Sequence, residues 1–339
     1  MPNSKSTSRT SLDRRKAMAM FGGLVVGTQL HGFGSAMAQG APLRWGSASL
    51  GSTGYIIIEA LASTVGKMSD VKGSSVSTSG AVENMALIGR NEIDLGQTTS
   101  LEWQSAYQGA APFKQSIKPV QLLSYGVWDQ PLVVKADSGI NKIEDLVGKR
   151  VCPGPAGGAA NLLWRLILTK AGIYDKIRWS YGSWRETHDG MKAGAYDAIS
   201  TILLNGRPAS ILMELETSMK MKPVTFDGAM FAAIQKEQPG AIQNTLDASN
   251  WASLTGPSIT PAMSGILGSR PEVNDETGYK IVKTIYENAE AIRKIAKELE
   301  MVSIEHATRF LLPGFPVNGG AAQYFKEKGV WRNELTIRT

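Results

Sequence analysis

The chain has 339 residues, 42% hydrophobic and 19% charged, with 36 basic and 30 acidic side chains, one cysteine and three histidines. That is the balance of a folded globular protein, long enough for two domains with full cores. The lone Cys152 excludes an intrachain disulfide framework and a multi-cysteine metal cluster, and too few histidines remain outside the N-terminal segment for a three-histidine zinc site.

Residues 1–38 read as an export leader. Arg14 and Arg15 precede an apolar run from Ala17 to Gly27, and Ala36-Met37-Ala38 supplies a small-residue cleavage site, so the expected cut follows Ala38. The run is far shorter than the roughly 20 residues of a membrane-spanning helix. The paired arginines resemble a twin-arginine signal. The leader holds five basic side chains and one acidic one, which leaves 31 basic against 29 acidic in residues 39–339. That near-neutral remainder argues against nucleic-acid or membrane-surface binding. The expected product is a monomeric protein exported to the periplasm.

Beyond the leader, β-type runs alternate with helical patterns, the signature of α/β architecture. Leu43–Ala48 reads as a strand, Tyr55–Lys67 as a helix and Ser74–Thr78 as a second strand. A short helix over Ala81–Ile88 is entered from Ser79-Gly80, with Ser79 suited to capping, and Ile93–Gln97 makes a third strand. Gln121–Val134 is a long β-type stretch in which Pro131, having no N–H to donate, favours an edge or a change of direction. Arg150–Cys152 leads through a glycine-rich loop into a helix over about 161–171. Then come a strand at Ile177–Ser180, a helix near His188–Ala193 and a strand at Asp197–Thr201. Three-and-four spacing of apolar residues predicts one helix from Tyr279 to Leu299, and a last helix spans about 320–328, ending at Gly329. No internal repeat is visible.

Four polar, glycine-containing segments follow expected strands: GSASLGSTGY, STSGAVEN, LGQTTS and CPGPAGGAAN. In open α/β sheets such loops gather at the carboxyl edge, where helix N-termini present free N–H groups to a ligand. Each loop taken singly is equally a tight strand-to-helix turn. Four in succession, in an exported chain without a catalytic set, point to binding. Among individual residues, Tyr55 suits stacking or a core position, and Ser79 and Asn84 suit ligand contact or local capping. Gln97 and Thr98 lie where a strand runs into one of these loops. Of the tryptophans 103, 128, 164 and 184, each a candidate aromatic for such a site, Trp128 lies in the long β-type stretch before Pro131. Arg165, Arg185 and Arg207 are the candidates for a bidentate partner of an anion. His188 reads as exposed and structural, His306 as structural and Cys152 as a buried strand residue.

Along nearly the whole length after the leader, the sequence resembles the solute receptors of TRAP transporters of the TAXI type. The resemblance is carried by GSASLGSTGYIIIEALA, by TSGAVENMALIGRNEIDLGQTTS with Gly80, Glu83-Asn84, Asp94 and Gln97 at the family spacing, by ADSGINKIEDLVGKRV and MKAGAYDAIS, and by PGFPVNGGAAQYFKEKG. Two positions depart from the pattern. Gly157-Gly158-Ala159-Ala160 stands where the family has Gly-Ser-Gly-Thr, and Asn318 where a histidine is common.

The resemblance implies a two-lobed class II periplasmic binding-protein fold, with crossover strands near Tyr125–Val133 and Ile259–Leu267 as the hinge. Residues 39–130 with 262–339 would form one lobe and 131–261 the other. The expected ligand is a small organic solute, anionic or zwitterionic, with glutamate or glutamine suggested first, delivered to TRAP membrane subunits. The expected contacts are Thr53, Gly54, Tyr55, Ser79, Gly80, Asn84, Gln97, Thr98, Trp128, Gly157, Gly158, Ala159 and Ala160, with no catalytic residue, metal or cofactor. The alternatives are an ABC-type receptor of the nitrate, sulfonate or pyrimidine kind, or a secreted α/β enzyme, which would need a nucleophile–base pair in the cleft.

Overall fold

The computed structural model describes residues 41–339, so the expected leader with its cut after Ala38 lies outside the described residues. In chain order the elements are β1 (Leu43–Gly46), α1 (Thr53–Met68), β2 (Gly73–Val76), α2 (Ala81–Gly89), β3 (Leu95–Thr99), α3 (Trp103–Gln108), β4 (Val120–Asp129), β5 (Leu132–Lys135) and β6 (Arg150–Cys152). Next come α4 (Ala159–Lys170), β7 (Arg178–Trp179), α5 (Trp184–Lys192), β8 (Ala198–Ser200), β9 (Leu203–Leu204), β10 (Arg207–Pro208), α6 (Ser210–Glu216), β11 (Met221–Pro223), α7 (Gly228–Glu237) and β12 (Ile242–Leu246). The chain closes with β13 (Ser258–Ser269), α8 (Asp275–Glu287), α9 (Ala289–Arg293), β14 (Pro316–Val317), α10 (Gly319–Glu327) and β15 (Thr336–Ile337).

The strands form two sheets. The larger has the order β10-β9-β4-β13-β3-β1-β2, with β12 paired to β13 and β14–β15 attached beside β4, and the smaller has the order β11-β5-β8-β6-β7. Pro131 marks the passage between them, because β4 ends at Asp129 in the large sheet and β5 starts at Leu132 in the small one. The two long strands β4 and β13 pair antiparallel along the centre of the large sheet. Within the 131–261 segment, β9, β10 and β12 also return to the large sheet.

The sheets share a device that sequence comparison within the chain does not reveal. Arg44 at β1 donates its backbone N–H and guanidinium to Asp94, just before β3, at 2.7 and 3.1 Å. Arg150 at β6 does the same to Asp197, just before β8, at 2.8 and 3.1 Å. In each sheet an aspartate fixes the register of two neighbouring parallel strands. The repeat is an Arg and an Asp placed 50 residues apart in one sheet and 47 in the other, so the sequence reads as repeat-free.

Helix starts follow their caps. Ser52 accepts the Tyr55 N–H at 3.2 Å and begins α1 two residues before the expected start. Ser183 and Glu186 form a capping box, moving the start of α5 to Trp184 rather than near His188. Asn318 accepts from Gly320 and Ala321 and starts α10. The single helix expected over Tyr279–Leu299 is instead α8, α9 and a 3-10 turn at Lys297–Leu299. Asn288 leaves helical geometry at φ −109° and ψ 13°, and its side chain donates to the Thr284 carbonyl at 2.8 Å, competing with the backbone ladder.

Candidate functional site

A small cavity lies where the two sheets face each other, lined by loops that leave the carboxyl ends of their strands. From the large sheet come Ala48 after β1, Ser79 and Gly80 between β2 and α2, Ala81 at the start of α2, Gln97 and Thr99 of β3, Trp128 and Gln130 at the end of β4, and Met263 of β13; Gly54 sits in the first turn of α1. From the small-sheet side come Gly158, Ala159 and Ala160 at the start of α4 and Trp184 at the start of α5. The cavity measures about 20 Å³, space for little more than one water molecule. Larger concavities of about 740 Å³ beside β11 and about 150 Å³ beside the β9–β10 hairpin lie elsewhere, and neither gathers these loops.

Eight of the residues singled out from sequence therefore meet at this cavity: Gly54, Ser79, Gly80, Gln97, Trp128, Gly158, Ala159 and Ala160. The other five are not among its lining residues. Thr53 is buried at the start of α1, and Tyr55 is held by the Ser52 cap. Asn84 is completely buried, and its Nδ2 donates to the carbonyls of Gly46, Ser47 and Gln97 at 3.2, 2.7 and 2.8 Å, tying β1 and β3 to α2. Thr98 donates its hydroxyl to the Ile266 carbonyl at 2.9 Å and accepts Trp103 Nε1–H at 3.1 Å. Gly157 touches the opposite loop: its carbonyl accepts Val82 N–H at 3.1 Å and Glu83 N–H at 3.2 Å. This contact joins the small-sheet loop to the first turn of α2.

The polar character of the cavity comes from neutral groups, and none of its lining residues is charged. Gln97, 2% exposed, has its Oε1 without a partner. That oxygen faces the floor of the cavity, since a Cβ at Gly54 would stand 3.3 Å from it and one at Gly80 3.9 Å. Trp128 Nε1 is likewise buried without a partner and lies against Gly265, where a Cβ would come within 2.8 Å. Around α2, Ser79 N–H donates to the Glu83 carboxylate at 2.5 Å and Gly80 N–H to Thr78 Oγ1 at 3.2 Å. Behind Thr99 the Glu102 carboxyl is fully buried and accepts both the Thr99 N–H and its hydroxyl at 2.5 Å. Burial pushes that carboxyl up to about 7.

The arginines short-listed from sequence lie elsewhere. Arg165 stacks on Tyr174 at 5.4 Å, Arg185 pairs with Glu214 at 2.8 Å and Arg207 with Glu300 at 2.7 Å. His188 is buried and not exposed as expected. It bonds the Trp184 carbonyl at 2.8 Å and Thr201 Oγ1 at 3.0 Å, and burial lowers its pKa to about 4. Trp103 and Trp164 are core residues, and Cys152 is buried as expected. Trp184, one of the four tryptophans considered from sequence, also lines the cavity, whereas Gln130 and Met263 were not singled out. Met263 carries no signal of its own in an apolar strand. Among the described residues no His, Cys, Asp and Glu group is placed to hold a metal ion, and no helix is long and apolar enough to cross a membrane.

A family profile described as NMT1-like family matches residues 45–329. No curated protein matches the chain. Among solved structures, one of a protein from Bordetella bronchiseptica RB50 has 14% identity and a TM-score of 0.51, covering 88% of this chain and 91% of that one. The periplasmic aliphatic sulphonate-binding protein SsuA from Escherichia coli has 18% identity and a TM-score of 0.42, covering 84% and 78%. A cysteine-binding protein from Campylobacter jejuni has 16% identity and a TM-score of 0.45, covering 76% and 88%. At these identities the likeness is one of fold alone.

Proposed function

The chain belongs to the NMT1-like family, and from that premise we propose that it is an exported solute-binding receptor. It captures a small organic solute between its two lobes and hands it to membrane transport subunits. The observation that carries this reading is the cavity itself, lined from both sheets by the first turns of α1, α2 and α4 and by buried neutral polar groups. A binding protein needs such convergent donors and acceptors. An enzyme would need in addition a reactive pair, and the lining holds neither a histidine nor a carboxylate.

The lobes follow the two sheets, and the chain passes between them at Gln130-Pro131, between β8 and β9, and on either side of β11, the segments that serve as the hinge. At about 20 Å³ the cleft is too small for an organic solute, so the Gly157–α2 contact opens for entry and a new closed state forms around the ligand. The contact residues read from sequence keep two roles in this proposal. The eight at the cavity touch the solute, and Asn84, Thr98 and their neighbours position them.

Two readings stand for the membrane partner. An ATP-driven ABC permease would serve a receptor of the nitrate or sulfonate kind, and an aliphatic sulphonate-binding protein is among the similar structures named above, while a TRAP permease rests on the sequence resemblance alone. The test is binding first and energetics second. A metabolite library is screened by thermal shift, where a ligand at 100 times its Kd raises stability by about 2.7 kcal/mol. Uptake in the native cell is then measured with either ATP supply or the ion gradient collapsed. Sensitivity to ATP alone supports the ABC partner; sensitivity to the gradient alone supports the TRAP partner.

A further inference from the structure

On the reading of the cleft as a solute site, we infer that its solute is a small uncharged molecule of the amide or lactam class. Such a molecule donates an N–H to Gln97 Oε1 and presents its carbonyl oxygen to the first turn of α4.

Two independent observations point to this chemistry. The first is the Gln97 oxygen, nine-tenths and more buried, unpartnered and facing the cavity between Gly54 and Gly80. A buried acceptor without a donor is costly, so the occupant that removes the cost brings an N–H or O–H. The second is the start of α4, where Gly158 is the N-cap and no side chain caps the helix, while Ala159 and Ala160 line the cavity. The unsatisfied first-turn N–H groups call for an acceptor. The occupant thus carries a donor towards the large sheet and an acceptor towards the small one, with an apolar body between them against Trp184 and Met263.

Charged alternatives fit less well. A carboxylate or sulfonate is acceptor-only and turns one oxygen towards the Gln97 oxygen. It finds no arginine at the cavity, and on the α2 side the Ser79 N–H is already taken by the Glu83 carboxylate. A zwitterionic amino acid would desolvate its ammonium where no carboxylate lines the cavity. An amide satisfies both neutral partners with no buried charge, and its dipole is aligned with that of α4.

The test uses matched probes on the full chain: butyramide, 2-pyrrolidinone, butyrate, propane-1-sulfonate and 2-aminobutyrate, titrated calorimetrically at pH 8. The expected result is that butyramide or the lactam binds at least about tenfold more tightly than the acid, the sulfonate and the amino acid, the factor set by one unmatched buried acceptor. The Gln97→Met variant should lose about that factor for the amide; if it does not fold, the wild-type comparison decides alone. Tighter binding of butyrate, the sulfonate or 2-aminobutyrate overturns the inference and leaves the receptor reading standing. Binding of none of the five also overturns it, and the receptor reading falls as well only if a broad metabolite library leaves the melting temperature unmoved.

Discussion

The carbonyl oxygen of Gly157 accepts the backbone N–H of Val82 across the interface of the two sheets, at 3.1 Å. It is the small-sheet loop's own group in the first turn of α2, the place where an α/β receptor offers donors to a ligand. In the receptor cycle proposed above, opening of the cleft would release these N–H groups of α2 from the Gly157 carbonyl.

Gly157 is the place to test that release. A Cβ there would stand 3.0 Å from the Cβ atoms of both Ser79 and Glu83, tighter than ordinary contact. Gly157→Val adds two further methyl groups and should hold the lobes apart. The expected outcome is a larger radius of gyration in small-angle scattering, at least about tenfold weaker solute binding, and a melting temperature within a few degrees of wild type. Unchanged scattering and affinity would show that the loop contact plays no part in closure.

Asn84 is a test of positioning as distinct from contact. Its three donated hydrogen bonds hold the ends of β1 and β3 against α2 without reaching the cavity. Asn84→Ala leaves buried carbonyls short of a donor, at about 1 kcal/mol or more each, so urea denaturation should report a loss of about 2–4 kcal/mol. Solute affinity, measured well below the melting temperature, should fall less than for Gly157→Val. A mild loss of stability with abolished binding would instead make Asn84 a contact residue.

The glycine and hydroxyl loops were legible in the sequence because βα turns at a sheet's carboxyl edge demand those residue types. This is why Ser79, Gly80 and Gly158 to Ala160 converge as expected. The role of Asn84 was not, because a short polar side chain at the start of a helix reads the same whether it meets a ligand or three strand carbonyls. The hydrogen-bond partners decide, and they come from residues 13 to 38 positions away. His188 misled for a related reason. Its neighbours Glu186 and Asp189 are polar, yet the helix turns it inward to Thr201. The Arg44–Asp94 and Arg150–Asp197 pair was hidden because the spacings, 50 and 47 residues, differ and the intervening sequences share little.

Glu102 should make the fold sensitive to pH. Burial raises its pKa from 4.5 to about 7 in the folded state, while the unfolded chain keeps the ordinary carboxylate value. The folded state then holds its proton over a range where the unfolded chain releases it. The associated stability is fully present below about pH 4.5 and is lost as pH rises through 7, on the order of 3 kcal/mol in all. Glu102→Gln keeps an acceptor for the Thr99 N–H and removes the titration. Urea midpoints measured from pH 4.5 to 8 should fall more steeply for wild type than for the variant, and parallel curves would refute a titrating Glu102.

The exit of β4 depends on a backbone fit that tolerates no side chain. Gly126 has φ +119°, and a Cβ there would meet Asn205 Oδ1 at 2.6 Å. Asn205 and Gly206 form the turn between β9 and β10, both at positive φ, the Asn-Gly pattern of a tight hairpin. That turn is pinned to β4 three times: Asn205 N–H donates to the Val127 carbonyl at 2.7 Å, Val127 N–H to Asn205 Oδ1 at 2.8 Å, and Gly206 N–H to Asp129 at 2.9 Å. Gly126→Ala combines a strained φ with this clash, and each of the two costs roughly 1–3 kcal/mol. The variant should lose about 2–5 kcal/mol in urea denaturation. Because the turn sits where the chain leaves the large sheet, it should also weaken solute binding by more than its distance from the cavity suggests. A variant of wild-type stability would show that the Asn205 side chain yields freely and that the hairpin does not pin the hinge strand.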